Sequence, residues 1–175
     1  TYFAYFIAVE RKYSLKKLRE MVLAATLHDF DIRERGMPPK VSRTLEQIRS
    51  DHELLDILKD LDVDIDAVLL MIERTDFPQD DMKRAQYVSK LQDIRDGPDK
   101  ETLIERAETL HLLDKMSAYL YCPREVLLSR IEGLYREHGW AYSSQQDLAA
   151  KSVEFVHQHI ENSDDFDTLF AQLPA

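Results

Sequence analysis

Very little of this 175-residue chain is glycine, and only one residue is cysteine. Four glycines leave little room for loop-rich architecture, and the single Cys122 excludes an internal disulfide. No alternating run rich in Val, Ile and Thr predicts a sheet. No apolar run approaches the roughly 20 residues that span a bilayer, and no secretory signal is visible. There is no glycine-rich phosphate loop, no Gly-x-Ser-x-Gly elbow, no Cys/His zinc-ribbon spacing and no internal repeat. These absences argue against a secreted disulfide scaffold, a membrane span and the common nucleotide and serine-hydrolase motifs. A reducing, cytoplasmic location is expected.

Hydrophobic residues make up 44% of the chain and charged residues 32%, a balance that suits a globular helical protein. No Pro/Gly/Ser-rich linker divides it, so one domain is expected over 1–175, truncated at its N-terminus because Thr1 falls within an apolar helix. The formal charge of −10 disfavours an extended nucleic-acid partner, whose phosphates an acidic surface repels. Lys and Arg are interleaved with Asp and Glu, as in Asp80-Asp81-Met82-Lys83-Arg84, the pattern of a solvated helix face.

Apolar spacing at three and four residues recurs along almost the whole chain. Helices are predicted over 2–9, after Ser14 as an N-cap, over 42–60 with a break near Ser50-Asp51, and over 64–74. Further helices are predicted over 80–95, from a cap at Asp99 to Tyr121, from Pro123 to near Gly139, and from a Ser143/Gln146 capping box to Glu161. A short helix over 164–173 would be the last. The fold class is therefore all-α, with about eight or nine helices.

The chemistry concentrates where the run Met21-Val22-Leu23-Ala24-Ala25-Thr26-Leu27 ends in His28-Asp29. An imidazole nitrogen beside a carboxylate oxygen, both on a rigid helix end, can hold a divalent metal that activates water. Asp114 sits in the apolar stretch Leu110-His111-Leu112-Leu113-Asp114, where a carboxylate needs a metal, a donor or solvent. His52 opens the segment Asp51-His52-Glu53, and Asp76 follows Thr75 at a predicted helix end. A surface position for His52 and a capping role for Asp76 stand beside any functional role. Trp140, Cys122, His157 and His159 read as packing or surface residues.

The block Leu23-Ala24-Ala25-Thr26-Leu27-His28-Asp29 resembles the signature of the HD-domain metal-dependent phosphohydrolases, and Asp114 falls where that superfamily places its last Asp ligand. The extension His28-Asp29-Phe30-Asp31 with Gly36, then His52, Thr75-Asp76 and Asp114, is most similar to the cyclic-nucleotide phosphodiesterase branch. The resemblance covers roughly 13–135. It implies an HD-type helical bundle in which His28, Asp29, Asp114 and His52 bind one or two ions of Mg, Mn, Fe or Zn. Asp29, His52 and Asp76 form the catalytic set, and Asp31 supports a ligand. The implied substrate is a nucleotide or other phosphoester, with a homodimer as a further possibility. The chain departs from the pattern in having no His before His28, Ile32 in place of a second His, and no Gln at Lys151-Ser152-Val153. Two alternatives accompany this expectation. One is a catalytically degenerate HD-type domain that senses a ligand or transmits a signal. The other is an all-α interaction domain using an apolar C-terminal face of Phe155, Val156, Ile160, Phe166 and Phe170.

Overall fold

A computed structural model describes residues 1–30, 41–76, 81–94, 97–119 and 124–156. All regular structure among these residues is helical: α1 (Tyr2–Glu10), α2 (Leu15–Leu27), α3 (Val41–Ser50), α4 (His52–Asp60), α5 (Ile65–Arg74), α6 (Asp81–Gln92), α7 (Pro98–Tyr119), α8 (Arg124–His138) and α9 (Gln145–Val156). No described helix is long and apolar enough to cross a membrane. Two compact units are distinguished, one covering Thr1–His111 and the other running from Leu112 through α8 and α9.

Local chemistry sets most helix boundaries. Ser14 Oγ accepts from Lys17 N, Asp51 Oδ1 from Leu54 N at 2.9 Å and Asp64 Oδ1 from Ala67 N at 3.2 Å, each satisfying a donor that the first helical turn leaves unpaired. The predicted break near Ser50-Asp51 is thus a new N-cap. α1 and α4 end alike. Lys12 and Asp62 adopt φ of 54°, and their N–H groups donate to Val9 O and Lys59 O. In α1 the next residue, Tyr13, donates to Ala8 O, which completes a Schellman ending. Each ending leads within two residues to the next cap, Ser14 or Asp64, so both pairs of helices are joined by a tight reversal.

Two predicted caps are corrected. α7 begins at Pro98, which suits a first helical position because its missing N–H would be unpaired there anyway. Asp99 therefore lies inside the first turn, where Lys17 Nζ at 2.9 Å holds its carboxyl below the usual carboxylate range. At α9 the N-cap is Ser144, whose Oγ accepts from Asp147 N at 3.1 Å. Asp147 Oδ2 accepts from Ser143 N at 2.8 Å, the residue before the cap, so the cap itself falls one residue later than the sequence pattern placed it. The helix predicted over 164–173 lies outside the described residues.

In the first unit α5 is the axle. Six successive residues, Ala67 to Ile72, are buried, and the helix packs on α2, α3, α4 and α6, while α1 packs on α2. Six consecutive buried residues cover every side of a helix, so this stretch has to be central although Asp66, Glu73 and Arg74 flank it, and each fully buried Leu, Ile or Met contributes about 1.5–3 kcal/mol. Around this axle runs a set of ion pairs: Arg11–Glu105 at 2.6 Å, Lys90–Glu73 at 2.6 Å and a two-pronged Arg74–Glu108, Nε to Oε1 at 2.6 Å and Nη2 to Oε2 at 2.7 Å. Within the second unit α8 packs on α9, and Tyr135 stands edge-on to Trp140 at 5.3 Å and to Tyr142 at 6.1 Å. Trp140 is half-buried, in keeping with the packing role expected of it.

One ion pair is different in kind. Glu20 and Arg106 are 2% and 3% exposed, and Arg106 Nη1 donates to Glu20 Oε2 at 2.6 Å. Glu20 Oε1 accepts from Asp64 N at 3.0 Å, and Arg106 Nη1 also donates to Lys17 O at 3.1 Å. Removing one member of such a pair strands the other charge without water. Glu20→Ala is expected to lower the unfolding free energy by about 3–5 kcal/mol, and a Glu20→Met/Arg106→Met double variant to recover most of that, as read by urea denaturation.

Tyr87 is 4% exposed, and its Oη has no hydrogen-bond partner. Burial, and then the nearby Glu108 carboxylate, push its phenol well above the ordinary value of 10.0. The folded state therefore keeps a proton that the unfolded chain gives up, so this site contributes full stability below about pH 10 and loses it as pH rises further. Tyr87→Phe should leave stability at pH 7 unchanged or raise it by about 1 kcal/mol. It should also flatten the alkaline loss, and chemical denaturation at pH 7 and pH 11 checks both effects.

Candidate functional site

The buried face of α2 carries Glu20, Met21, Ala24, Ala25 and Leu27, and its C-cap is His28. His28 N donates to Ala24 O at 3.0 Å and Phe30 N to Leu27 O at 2.9 Å, so the backbone turns tightly around the His-Asp pair. The imidazole is largely covered, with a side chain 20% exposed, while Asp29 is 71% exposed. His28 Nδ1 lies 3.1 Å from Ala25 O. A carbonyl oxygen can only accept, so this contact is made by an Nδ1–H, and the ring is oriented by its own helix. On the other side Nε2 stands 3.4 Å from Asp29 Oδ2. Thr1 Oγ1 donates to the same Ala25 carbonyl at 3.2 Å, tying the start of α1 to this helix end.

The other predicted site residues are placed as follows. His52 is exposed at the first position of α4, directly after the Asp51 cap. Asp76 follows α5, where Lys83 Nζ lies 2.8 Å from its Oδ2 and Thr75 turns its Oγ1 back to Ile72 O at 2.7 Å. Asp114 is half-buried on α7 and belongs to the second unit. His111, three residues earlier on the same helix, is 6% exposed. Asp31, Ile32, Gly36, Cys122, His157 and His159 lie outside the described residues. The structure thus brings together His28 and Asp29, and commits Asp76 to a lysine. Among the described residues, no group of three or more His, Cys, Asp or Glu side chains is placed to hold a metal ion.

Sequence reasoning missed Glu20 and Arg106. The signal was available, because Glu20 precedes Ala24 and Leu27 by four and seven residues, and Arg106 follows Leu103 by three and precedes Leu110 by four. Both charges therefore sit on the apolar stripe of their helices. No protein-family model, curated protein or solved structure matches the chain.

Asp76 with Lys83 is a partly exposed pair, 23% and 39%. As a structural contact it is worth little, and Asp76→Asn is expected to cost less than about 1 kcal/mol in urea denaturation.

Proposed function

We propose that the chain is a divalent-metal-dependent phosphohydrolase of the HD type, acting on a nucleotide or another phosphoester. The observation that carries this reading is the oriented His28-Asp29 pair. With Nδ1 held against Ala25 O, Nε2 stands on the side of Asp29 Oδ2, 3.4 Å away. Two donor atoms about 2.1 Å from a tetrahedral ion are themselves about 3.4 Å apart, so the pair fits one edge of such a site. A backbone carbonyl on the far nitrogen is also the common support of a metal-ligating histidine.

In this reading His28 and Asp29 supply two ligands, while exposed His52 borders the phosphate. A bound Mg²⁺, Mn²⁺, Fe or Zn²⁺ would supply charge for the phosphoryl oxygens and acidify a water molecule. Ala25 O fixes the imidazole ring, and burial of α2 beneath it keeps the helix end from fraying. Asp29, being exposed, can meet a cation without the desolvation cost of a buried carboxylate. Asp76, held by Lys83, acts as a positioning group near the end of α5.

Elemental mass spectrometry on the full chain tests the proposal. Stoichiometric divalent metal is expected in the parent protein and its loss in Asp29→Ala, with unchanged circular dichroism. Hydrolysis of bis(p-nitrophenyl) phosphate is expected to fall in the variant by more than the roughly 10–100-fold that losing an outer-shell partner costs. Absence of metal after loading, or activity retained in Asp29→Ala, would overturn it.

A further inference from the structure

Every residue of α1 from Tyr2 to Val9 is apolar or aromatic, yet the helix is covered on one side only. Ala4, Ile7 and Ala8 are buried, and α1 packs on α2. Tyr2, Tyr5, Phe6 and Val9 recur at three and four residues on the opposite side, with Tyr2 62% exposed, Tyr5 49% and Val9 44%. The rings form one continuous cluster: Phe6 stands 4.6 Å from Tyr2 and 5.8 Å from Tyr5, and Phe3 lies 5.8 Å from Tyr2. A helix apolar on all sides is ordinarily covered on all sides, so a contiguous exposed aromatic face marks an interaction site.

Basic side chains gather at one end of this face. From Arg11 to Arg19 there are five Lys or Arg and no acid, in a chain whose formal charge is −10, and Glu10 is the one acid before them. Arg11 and Lys17 are taken up by Glu105 and Asp99, at 2.6 and 2.9 Å. Lys12 and Lys16 are exposed, and neither forms an ion pair among the described residues. Lys12 N donates to Val9 O at 3.0 Å, which sets this lysine at the edge of the aromatic face, and the tight reversal that follows brings exposed Leu15 and Lys16 to the same end.

We infer that this face docks on an anionic phospholipid surface, with Tyr2, Tyr5, Phe6 and Val9 entering the headgroup layer and Lys12 and Lys16 meeting the lipid anions. The contact is peripheral and runs along the helix without crossing the bilayer. Tyrosine suits that depth, because its ring is apolar while its hydroxyl can stay wet. The adjoining lysines supply the attraction that the acidic chain as a whole would oppose. A second copy fits less well. Nine helical residues present a face of about 14 Å by 10 Å, well short of the roughly 800 Å² per partner that a stable dimer buries.

Co-flotation of the full chain with vesicles tests the inference, in EDTA so that neither a metal bridge nor the His28-Asp29 reading bears on the result. The vesicles are phosphatidylcholine alone and an equimolar mixture of phosphatidylcholine and phosphatidylserine. Binding to the mixed vesicles is expected, with little to phosphatidylcholine alone, and raising the salt should weaken it. Tyr2→Ser/Tyr5→Ser removes apolar surface at two exposed positions, and Lys12→Gln/Lys16→Gln removes two charges. Each should weaken partitioning by about tenfold or more with unchanged circular dichroism. Met82→Ser, at an exposed apolar position on α6, should bind as the parent does. Failure to float with the mixed vesicles, equal binding to both compositions, or binding unchanged in either folded double variant would overturn the inference. So would a tyrosine-dependent dimer, read by light scattering, in a chain that leaves the vesicles unbound.

Discussion

The first unit depends on a carboxylate and a guanidinium that have both left water. Glu20 and Arg106 each lose several kcal/mol of hydration on burial, and only close, well-directed partners offset such a loss. Glu20 has two, Arg106 Nη1 on one oxygen and the Asp64 N–H on the other. Arg106 in turn holds Lys17 O, so α2, the start of α5 and the first half of α7 converge on one small polar cluster. Because each member fails without the others, the cluster fixes the rotation of α2 about its axis. That rotation aims the far end of the same helix, where His28 and Asp29 stand.

The remaining ion pairs are of another kind. Arg11–Glu105, Lys90–Glu73 and Lys83–Asp76 each keep at least one partner in contact with water, and such pairs trim orientation more than they stabilise. Stability comes instead from α5, whose buried run Ala67–Ile72 gives every neighbouring helix an apolar surface to cover. The polar cluster then selects among the ways those apolar faces could pack. The frame leaves outside it an exposed Asp29 next to a ring tied to Ala25 O, and a cavity that Arg106 helps to line.

Helix placement was largely legible in the residues, and the reasons are local. Ser14 caps as its side chain predicts, and the weak break at Ser50-Asp51 is a true boundary because Asp51 offers an oxygen to Leu54 N. Where two neighbouring residues can both serve, as with Ser143 and Ser144, pattern alone chose the wrong one. The choice turned on where Asp147 could reach back. Asp99 was misjudged for a similar reason. Proline is favoured at the first helical position, so α7 starts one residue earlier and leaves Asp99 to meet Lys17 from a distant helix.

The sequence by itself determined the all-α character of the described residues, the order of the helices and the His28-Asp29 helix end, since periodicity, capping and turn chemistry act over a few residues. It also marked Asp76 as a helix-end residue, but not that Lys83 would occupy it. Only the tertiary structure decided that Glu20 and Arg106, 86 positions apart, would neutralise each other in the core. It alone left the Nε–H of that arginine buried without an acceptor. Charges on apolar stripes announce that some partner exists, but which one is set by how helices far apart in the chain pack, and that depends on the whole apolar surface at once.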